Sequence, residues 1–230
     1  MIALVDYGMG NLRSVEKALA RVGADVRIVS GPASVLAADA LVLPGVGAFG
    51  DCMKNLERFD LVGAIRKFIE TGGPFLGICL GMQGLLDSSE ESPGVKGLAV
   101  YRGTVPRFHF DGAGSPVQAG GPVPPGARRL KVPHMGWNQL RIQRRDCPLL
   151  RGVADGSYVY FVHSYYCAPA DKSLVCATTE YGTEFCSMLW AGNVFATQFH
   201  PEKSQAVGLQ ILENFVRLTT QSGVRSQTSA

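Results

Sequence analysis

Short apolar runs alternate with apolar residues at helical spacing through the first third of the chain. Residues 2–5 form a run of the length a buried strand needs, and Leu12, Val15, Leu19 and Val22 follow three and four positions apart. Two further β-type runs cover residues 26–29 and 40–43. Leu61, Ile65, Phe68 and Ile69 make the next helical stripe, with Asp60 as its expected N-cap and Gly72-Gly73 ending it; residues 74–78 are another strand. This alternation predicts an α/β fold, a mostly parallel central sheet flanked by helices. Ligands bind beyond the carboxyl ends of the strands in such sheets, so functional residues are expected just after the apolar runs.

The second half has a different rhythm. Residues 158–162, 173–179, 185–190 and 193–199 are closely spaced strands, and the short links 180–184 and 191–192 have the look of hairpin turns, which adds an antiparallel β portion. Val207, Ile211, Phe215 and Leu218 lie on one face of a last helix. Residues 111–127 hold five glycines and four prolines, which forbids a helix or central strand there and predicts a mobile surface loop. Residues 1–220 are expected to form one domain, with 221–230 a frayed polar tail.

Composition narrows the function classes. A chain of 230 residues with 46% hydrophobic and 18% charged residues can bury a full core. Its net charge of +3 is spread out, the densest clusters being pairs such as Arg128-Arg129 and Arg144-Arg145, so no nucleic-acid partner is expected. No apolar run approaches the ~18–20 residues of a membrane span, and Asp6 interrupts an N-terminus that lacks a basic region, so neither membrane association nor a signal peptide is expected. The six cysteines, at 52, 79, 147, 167, 176 and 186, include no Cys-x-x-Cys and no zinc-type spacing with histidine. A reduced, cytoplasmic protein without a metal is the expectation.

One cysteine stands apart. Gly77-Ile78-Cys79-Leu80-Gly81 joins the strand at 74–78 to a helical stretch and has the G-x-C-x-G form of a nucleophile elbow. A sharp strand-to-helix turn projects the nucleophile, flanking glycines avoid clashes, and a helix N-terminus favours the thiolate. The Leu80 amide is placed to stabilise an oxyanion. A buried structural cysteine is the competing reading. The elbow needs a base, and His200 follows the strand at 193–199 directly. If the chain stays extended through Pro201, His200 and Glu202 point to the same side, with Glu202 orienting the imidazole. Pro44-Gly45-Val46-Gly47 follows another strand and offers unobstructed amides for the rest of an oxyanion hole, namely Gly45, Val46 and Gly47. His163 is expected to position substrate rather than act as base. Asp6-Tyr7-Gly8-Met9-Gly10-Asn11 lacks the third glycine of a dinucleotide loop, because position 13 is Arg13, so no such cofactor is expected.

Together these segments resemble the class I, triad-type glutamine amidotransferases, which implies a flavodoxin-like topology. More narrowly, Asp6 to Leu12, Pro44-Gly45-Val46-Gly47-Ala48-Phe49, Lys131-Val132-Pro133-His134-Met135-Gly136-Trp137-Asn138, Tyr160 to Tyr165 and Gln198-Phe199-His200-Pro201-Glu202-Lys203-Ser204 are similar to the glutaminase subunits of imidazole glycerol phosphate synthases. The resemblance implies that Cys79 attacks the carboxamide of L-glutamine to form a glutamyl thioester. It makes His200 the proton donor to ammonia and then the activator of water, with Glu202 orienting it. Gln83, Ser164 and Tyr165 match positions that hold the amino-acid end of glutamine. Asn11, Trp137 and Lys203 match positions near a partner, a cyclase barrel that receives the ammonia within a heterodimer of histidine biosynthesis. No cofactor is implied. Gly45 and Gly47 would let the Val46 peptide flip, so that its amide faces the oxyanion site only when the partner holds its own ligand. Two departures from the family pattern are the 111–127 insertion, expected to be inert, and Gly84, where the family has a larger apolar residue and glycine costs about 1 kcal/mol of helix propensity. Other readings left open are another class I glutaminase, a free γ-glutamyl hydrolase, and an inactive scaffold that only binds a partner.

Overall fold

The apolar runs become the middle of an eight-stranded mixed sheet. In the computed structural model, which describes residues 1–110 and 130–226 with side chains to Thr219, β1 (Ile2–Val5), β2 (Val26–Val29), β3 (Ala40–Gly45) and β4 (Phe75–Cys79) run parallel. Helices α1 (Leu12–Arg21), α2 (Pro32–Leu36), α3 (Phe49–Arg58) and α4 (Leu61–Glu70) fall between them, and α5 (Leu80–Gln83) is a single turn after β4. The chain continues through β5 (Ser88–Ser89), β6 (Gly103–Val105), β7 (His134–Gln139), β8 (Arg141–Ile142), β9 (Tyr158–His163) and β10 (Ala168–Pro169). It ends with β11 (Val175–Glu180), β12 (Glu184–Ala191), β13 (Val194–Thr197) and α6 (Gln205–Ser226). The large sheet has the order β2-β1-β3-β4-β13-β12-β11-β8, while β10-β6-β5 and β7-β9 form two small sheets.

Burial on both faces explains the uninterrupted apolar runs of β1, β3, β4 and β13. Ile2, Leu4, Val42, Leu76 and Ile78 pack with Val15 and Leu19 of α1 and Ile211 and Phe215 of α6. The alternate residues Ala3, Val5, Leu41, Leu43 and Phe75 pack on the other side with Phe49, Met53 and Leu56 of α3 and Leu61 and Ile65 of α4. The hairpins at 180–184 and 191–192 form as expected, but β13 then lies parallel to β4. That pairing brings the ends of two distant segments together. The strand expected at 158–162 leaves the large sheet altogether and pairs with β7, with His134 opposite His163 and Trp137 opposite Tyr160.

Three local expectations need correction. Asp60 precedes α4 but has φ 57° and makes no side-chain capping bond. The chain reverses from α3 into α4 within two residues, and Asp tolerates the left-handed conformation that this requires. Lys172–Leu174 is a 3₁₀ turn, so the strand expected from 173 begins at Val175. The backbone of α6 continues to Ser226, into the segment expected as tail, because extending an established helix adds one hydrogen bond per residue. Residues 111–127 and 227–230 lie outside the described residues.

Candidate active site

β4 ends in Cys79, whose φ of 54° and ψ of −104° are not those of an ordinary L-residue. Such a conformation costs about 1–3 kcal/mol and persists only where the surroundings over-determine it. Here the surroundings are backbone. A Cβ at Gly81 would stand 1.9 Å from the Leu43 carbonyl oxygen, and one at Gly77 would stand 2.7 Å from the Gly81 carbonyl oxygen. The elbow therefore lies directly against β3, and only glycine fits at either position. The α5 that follows has four residues, so its macrodipole is small.

The register of β3 with β4 sets Gly45 beside Cys79. A Cβ on Gly45 would come within 2.7 Å of both Leu80 Cβ and the Tyr7 hydroxyl, which makes this a second close backbone approach. Fully buried Tyr7 braces the loop from behind. Its hydroxyl donates to the Pro44 carbonyl at 2.9 Å and accepts from Cys52 Sγ at 3.5 Å. Burial pushes the phenol well above its ordinary range, so Tyr7 stays a neutral donor. Beyond that anchor, Val46 is exposed and Gly47 has φ 93°.

β13 delivers His200 from the neighbouring position in the sheet. The chain does not stay extended through Pro201. Pro201–Lys203 form a 3₁₀ turn with Pro201 in its first turn, where proline lacks nothing the turn needs. The turn folds Glu202 back so that Oε1 lies 2.8 Å from His200 Nδ1, with both side chains almost fully buried. His200 Nε2 has no hydrogen-bond partner within the protein. Burial pulls the His200 pKa down, but the Cys79 sulfur and the Glu202 carboxylate outweigh it and raise the value to about 10. The imidazole is thus held as a cation beside the sulfur.

Cys79 and His200 line one cavity of about 300 Å³, together with Val46, Gly47, Leu80, Gln83, Ser164 and Tyr165. Its size suits a small, amino-acid-sized ligand. The expected triad, oxyanion and substrate positions all line this cavity except Gly45, which is paired beside Cys79, and Glu202, which is bonded to His200 Nδ1. Trp137 and Lys203 lie elsewhere. Trp137 is 45% exposed on β7, with its ring edge-on to Tyr160 at 6.0 Å, and Lys203 Nζ sits 5.8 Å from that same ring. Asn11 caps α1, accepting from the Ser14 amide at 3.4 Å.

Four participants are not singled out as site residues by the sequence. Glu91 lines the cavity and accepts the Phe49 amide at 2.7 Å, while Ser92 Oγ accepts the Gly50 amide at 2.9 Å. These two cap α3, whose own N-cap, Ala48, offers no side-chain acceptor. Gln198 and Tyr7 also contribute only through tertiary contacts. His163 lines the cavity too, but both ring nitrogens are engaged, Nδ1 with the Tyr165 carbonyl at 2.8 Å and Nε2 with His134 Nδ1 at 2.9 Å. Burial lowers His163 to about 3 and His134 to about 4, so neither serves as a base. Among the described residues no group of three or more His, Cys, Asp or Glu side chains is placed to hold a metal ion, and no helix is long and apolar enough to cross a membrane.

The family model described as glutamine amidotransferase class-I matches residues 3–218. A Syntrophotalea carbinolica protein named imidazole glycerol phosphate synthase subunit HisH is 54% identical over 215 residues, spanning 94% of this chain and 98% of its own length. A protein of the same name from Aquifex aeolicus is 49% identical over 215 residues, spanning 93% and 95%. A solved glutamine amidotransferase superposes with a TM-score of 0.69 at 19% identity, over 96% of this chain and all of that one. PurLQS from Thermotoga maritima gives 0.61 at 20% identity over 98% of each chain. At such identities these two structures speak for the fold. With the model spanning nearly the whole chain and relatives at about half identity, this chain belongs to the class I glutamine amidotransferase family.

Proposed function

We propose that the chain is the glutaminase subunit of an imidazole glycerol phosphate synthase, and that Cys79, His200 and Glu202 carry out its hydrolysis of L-glutamine. The observation that carries this reading is the shared cavity, in which His200 is fixed by Glu202 at Nδ1 and presents an otherwise unpaired Nε2 on the side of Cys79. The Cys79 sulfur adds to the side-chain carboxamide carbon, and the resulting oxyanion is met by the Leu80 amide and an amide of the Gly45-Val46-Gly47 loop. The C–N bond then breaks, with His200 giving its proton to the departing ammonia. Water attacks the thioester, His200 takes the water's proton, and the C–S bond breaks to release glutamate. Gln83, Ser164 and Tyr165 hold the amino-acid end, and the Glu91 carboxylate offers a counter-charge for the α-ammonium group.

The relatives' name describes a synthase subunit, and this chain has a surface suited to a partner. β7 turns Met135 (62% exposed) and Trp137 outward, and Tyr158 (55%) extends the patch. Lys203, three residues after His200, adjoins it through Tyr160. A cyclase barrel docked there would receive ammonia without release to solvent, in the cytoplasm where free thiols persist. Docking of the liganded cyclase would flip the Val46 peptide and complete the oxyanion hole. Asn11, at the start of α1, is assigned to the same interface by the resemblance, and α1 touches the Pro201–Lys203 turn.

Glutamate release by the purified chain, measured alone, with the cyclase subunit, and with cyclase plus its nucleotide substrate, tests the reading. Strong stimulation is expected only in the full mixture. Equal rates in all three would overturn the gating, and no hydrolysis in any of them would favour a scaffold.

A further inference from the structure

We infer that Gln198 is a positioning residue for the Cys79 sulfur, standing at the end of a hydrogen-bond network whose polarity is set at the Tyr165 carbonyl, which accepts from both sides. The inference rests on the triad reading above and concerns a residue that neither the elbow nor the His-x-Glu pair includes. Gln198 is completely buried, immediately after β13, and its Nε2 donates to Cys79 Sγ at 3.7 Å. An amide can present either its N–H or its carbonyl to a sulfur, so the useful question is what prevents Gln198 from turning round.

The neighbours answer it. A carbonyl oxygen accepts only, so Gln83 must direct Nε2 toward Tyr165 O, 3.0 Å away. The second hydrogen of that same nitrogen goes to Gln198 Oε1 at 3.1 Å. Turning the Gln198 amide would oppose two NH₂ groups in a dry site, an arrangement with both donors unsatisfied. Gln198 is therefore compelled to aim its N–H at the sulfur. The Tyr165 carbonyl is held in turn from its other side. His163 Nδ1 donates to it at 2.8 Å, which leaves His163 Nε2 as the acceptor for His134 Nδ1 at 2.9 Å. His134 Nε2 then accepts from Asn138 Nδ2 at 3.2 Å, and the Asn138 amide is oriented independently, because its Oδ1 accepts the Gln139 amide at 2.8 Å. Every member has one allowed orientation, and both histidines are neutral with the proton on Nδ1.

The consequence at the sulfur is chemical. With the Gln198 N–H on one side of Cys79 Sγ and the His200 imidazolium on another, the sulfur is faced by donors from both. Gln198 thus steadies negative charge on the sulfur, because a hydrogen bond to a charged acceptor is the stronger one.

Gln198→Met keeps length and volume while deleting the donor. Turnover of glutamine is measured in the complex with the cyclase and its nucleotide substrate. Alkylation of Cys79 by iodoacetamide, followed by peptide mapping without glutamine, reads the sulfur alone. The expected result is a fall of about tenfold in kcat and a similar fall in alkylation rate, with KM within about twofold. A kcat and alkylation rate within twofold of the wild type, or a change confined to KM, overturns the inference. The wild-type protein supplies a second measurement that depends on no variant, ¹⁵N NMR of its histidines. His134 and His163 should both be neutral Nδ1–H tautomers at pH 7; an Nε2–H or cationic ring at either position breaks the chain and overturns it. Cys79→Ala serves as the control: if that variant keeps its turnover, the triad reading itself fails, a result separate from any outcome at Gln198.

Discussion

Replacing Gly81 by alanine should damage both stability and turnover, whereas the same change three residues later, Gly84→Ala, should damage neither. At Gly81 the new Cβ would meet the Leu43 carbonyl oxygen at 1.9 Å, more than 1 Å inside any contact a real Cβ makes. Leu43 is fully buried in β3, which is bonded on both sides by β1 and β4, so its carbonyl has nowhere to go. The elbow must move instead. Overpacking of this kind costs typically ~1–3 kcal/mol, and the upper end is expected because backbone meets backbone. A shift of about 1 Å in Cys79 and the Leu80 amide should cost roughly 10²-fold in kcat. Gly84 lies at the C-cap of α5 with φ −58°, and its Cβ would stand 3.4 Å from the Leu80 carbonyl oxygen, an ordinary contact. Alanine there removes freedom from the unfolded chain and should add about 0.4–1 kcal/mol of stability. Urea unfolding midpoints and glutaminase kcat of the two variants decide the matter. A Gly81→Ala protein as stable and active as the wild type, or a Gly84→Ala protein that is the more damaged of the two, would refute the packing account of the elbow.

Glu202→Gln should lower kcat by about 10²-fold or more and move the NMR titration of His200 downward from about 10; an unmoved titration would contradict the orienting role. Because the folded His200 value is raised, the stability it confers is complete below its ordinary 6.5 and is lost as pH rises through about 10. Urea midpoints of the wild type should therefore decline across that window, and the decline in Glu202→Gln should end at lower pH. Tyr7→Phe leaves the buried Pro44 carbonyl without its donor, an expected loss of about 1–3 kcal/mol in urea unfolding, together with reduced turnover. Glu91→Gln retains an acceptor for the Phe49 amide but removes the charge; KM for glutamine should rise at least about tenfold with the unfolding midpoint nearly unchanged, and an unaltered KM would remove Glu91 from substrate binding.

What the sequence made legible follows from where each element is buried. β1, β3 and β4 have both faces covered, so their apolar runs are unbroken, and the glycines of the elbow mark a close approach that no other residue permits. β7 was illegible for the opposite reason. Its pattern is inverted, with His134 turned inward while Met135 and Trp137 face out, and a periodicity argument that expects apolar residues inside passes over it. The inversion is intelligible once the strand is seen to bury a histidine pair and expose an apolar patch. α3 has Phe49, Cys52, Met53 and Leu56 on its buried side, yet its start has no capping residue of its own; the cap comes from Glu91 and Ser92, 42 residues away. His200 and Glu202 meet through the 3₁₀ turn that Pro201 initiates rather than through an extended strand, a local turn that alternation along a strand does not signal.

The central claim is that glutamine is hydrolysed through a thioester on Cys79. Rapid acid quenching of the complex during turnover, followed by peptide mapping, tests it most directly. A γ-glutamyl group should appear on the peptide carrying Cys79 and on no other, and Cys79→Ala should show neither the adduct nor turnover. Glutamate production that continues in the Cys79→Ala protein would contradict the account.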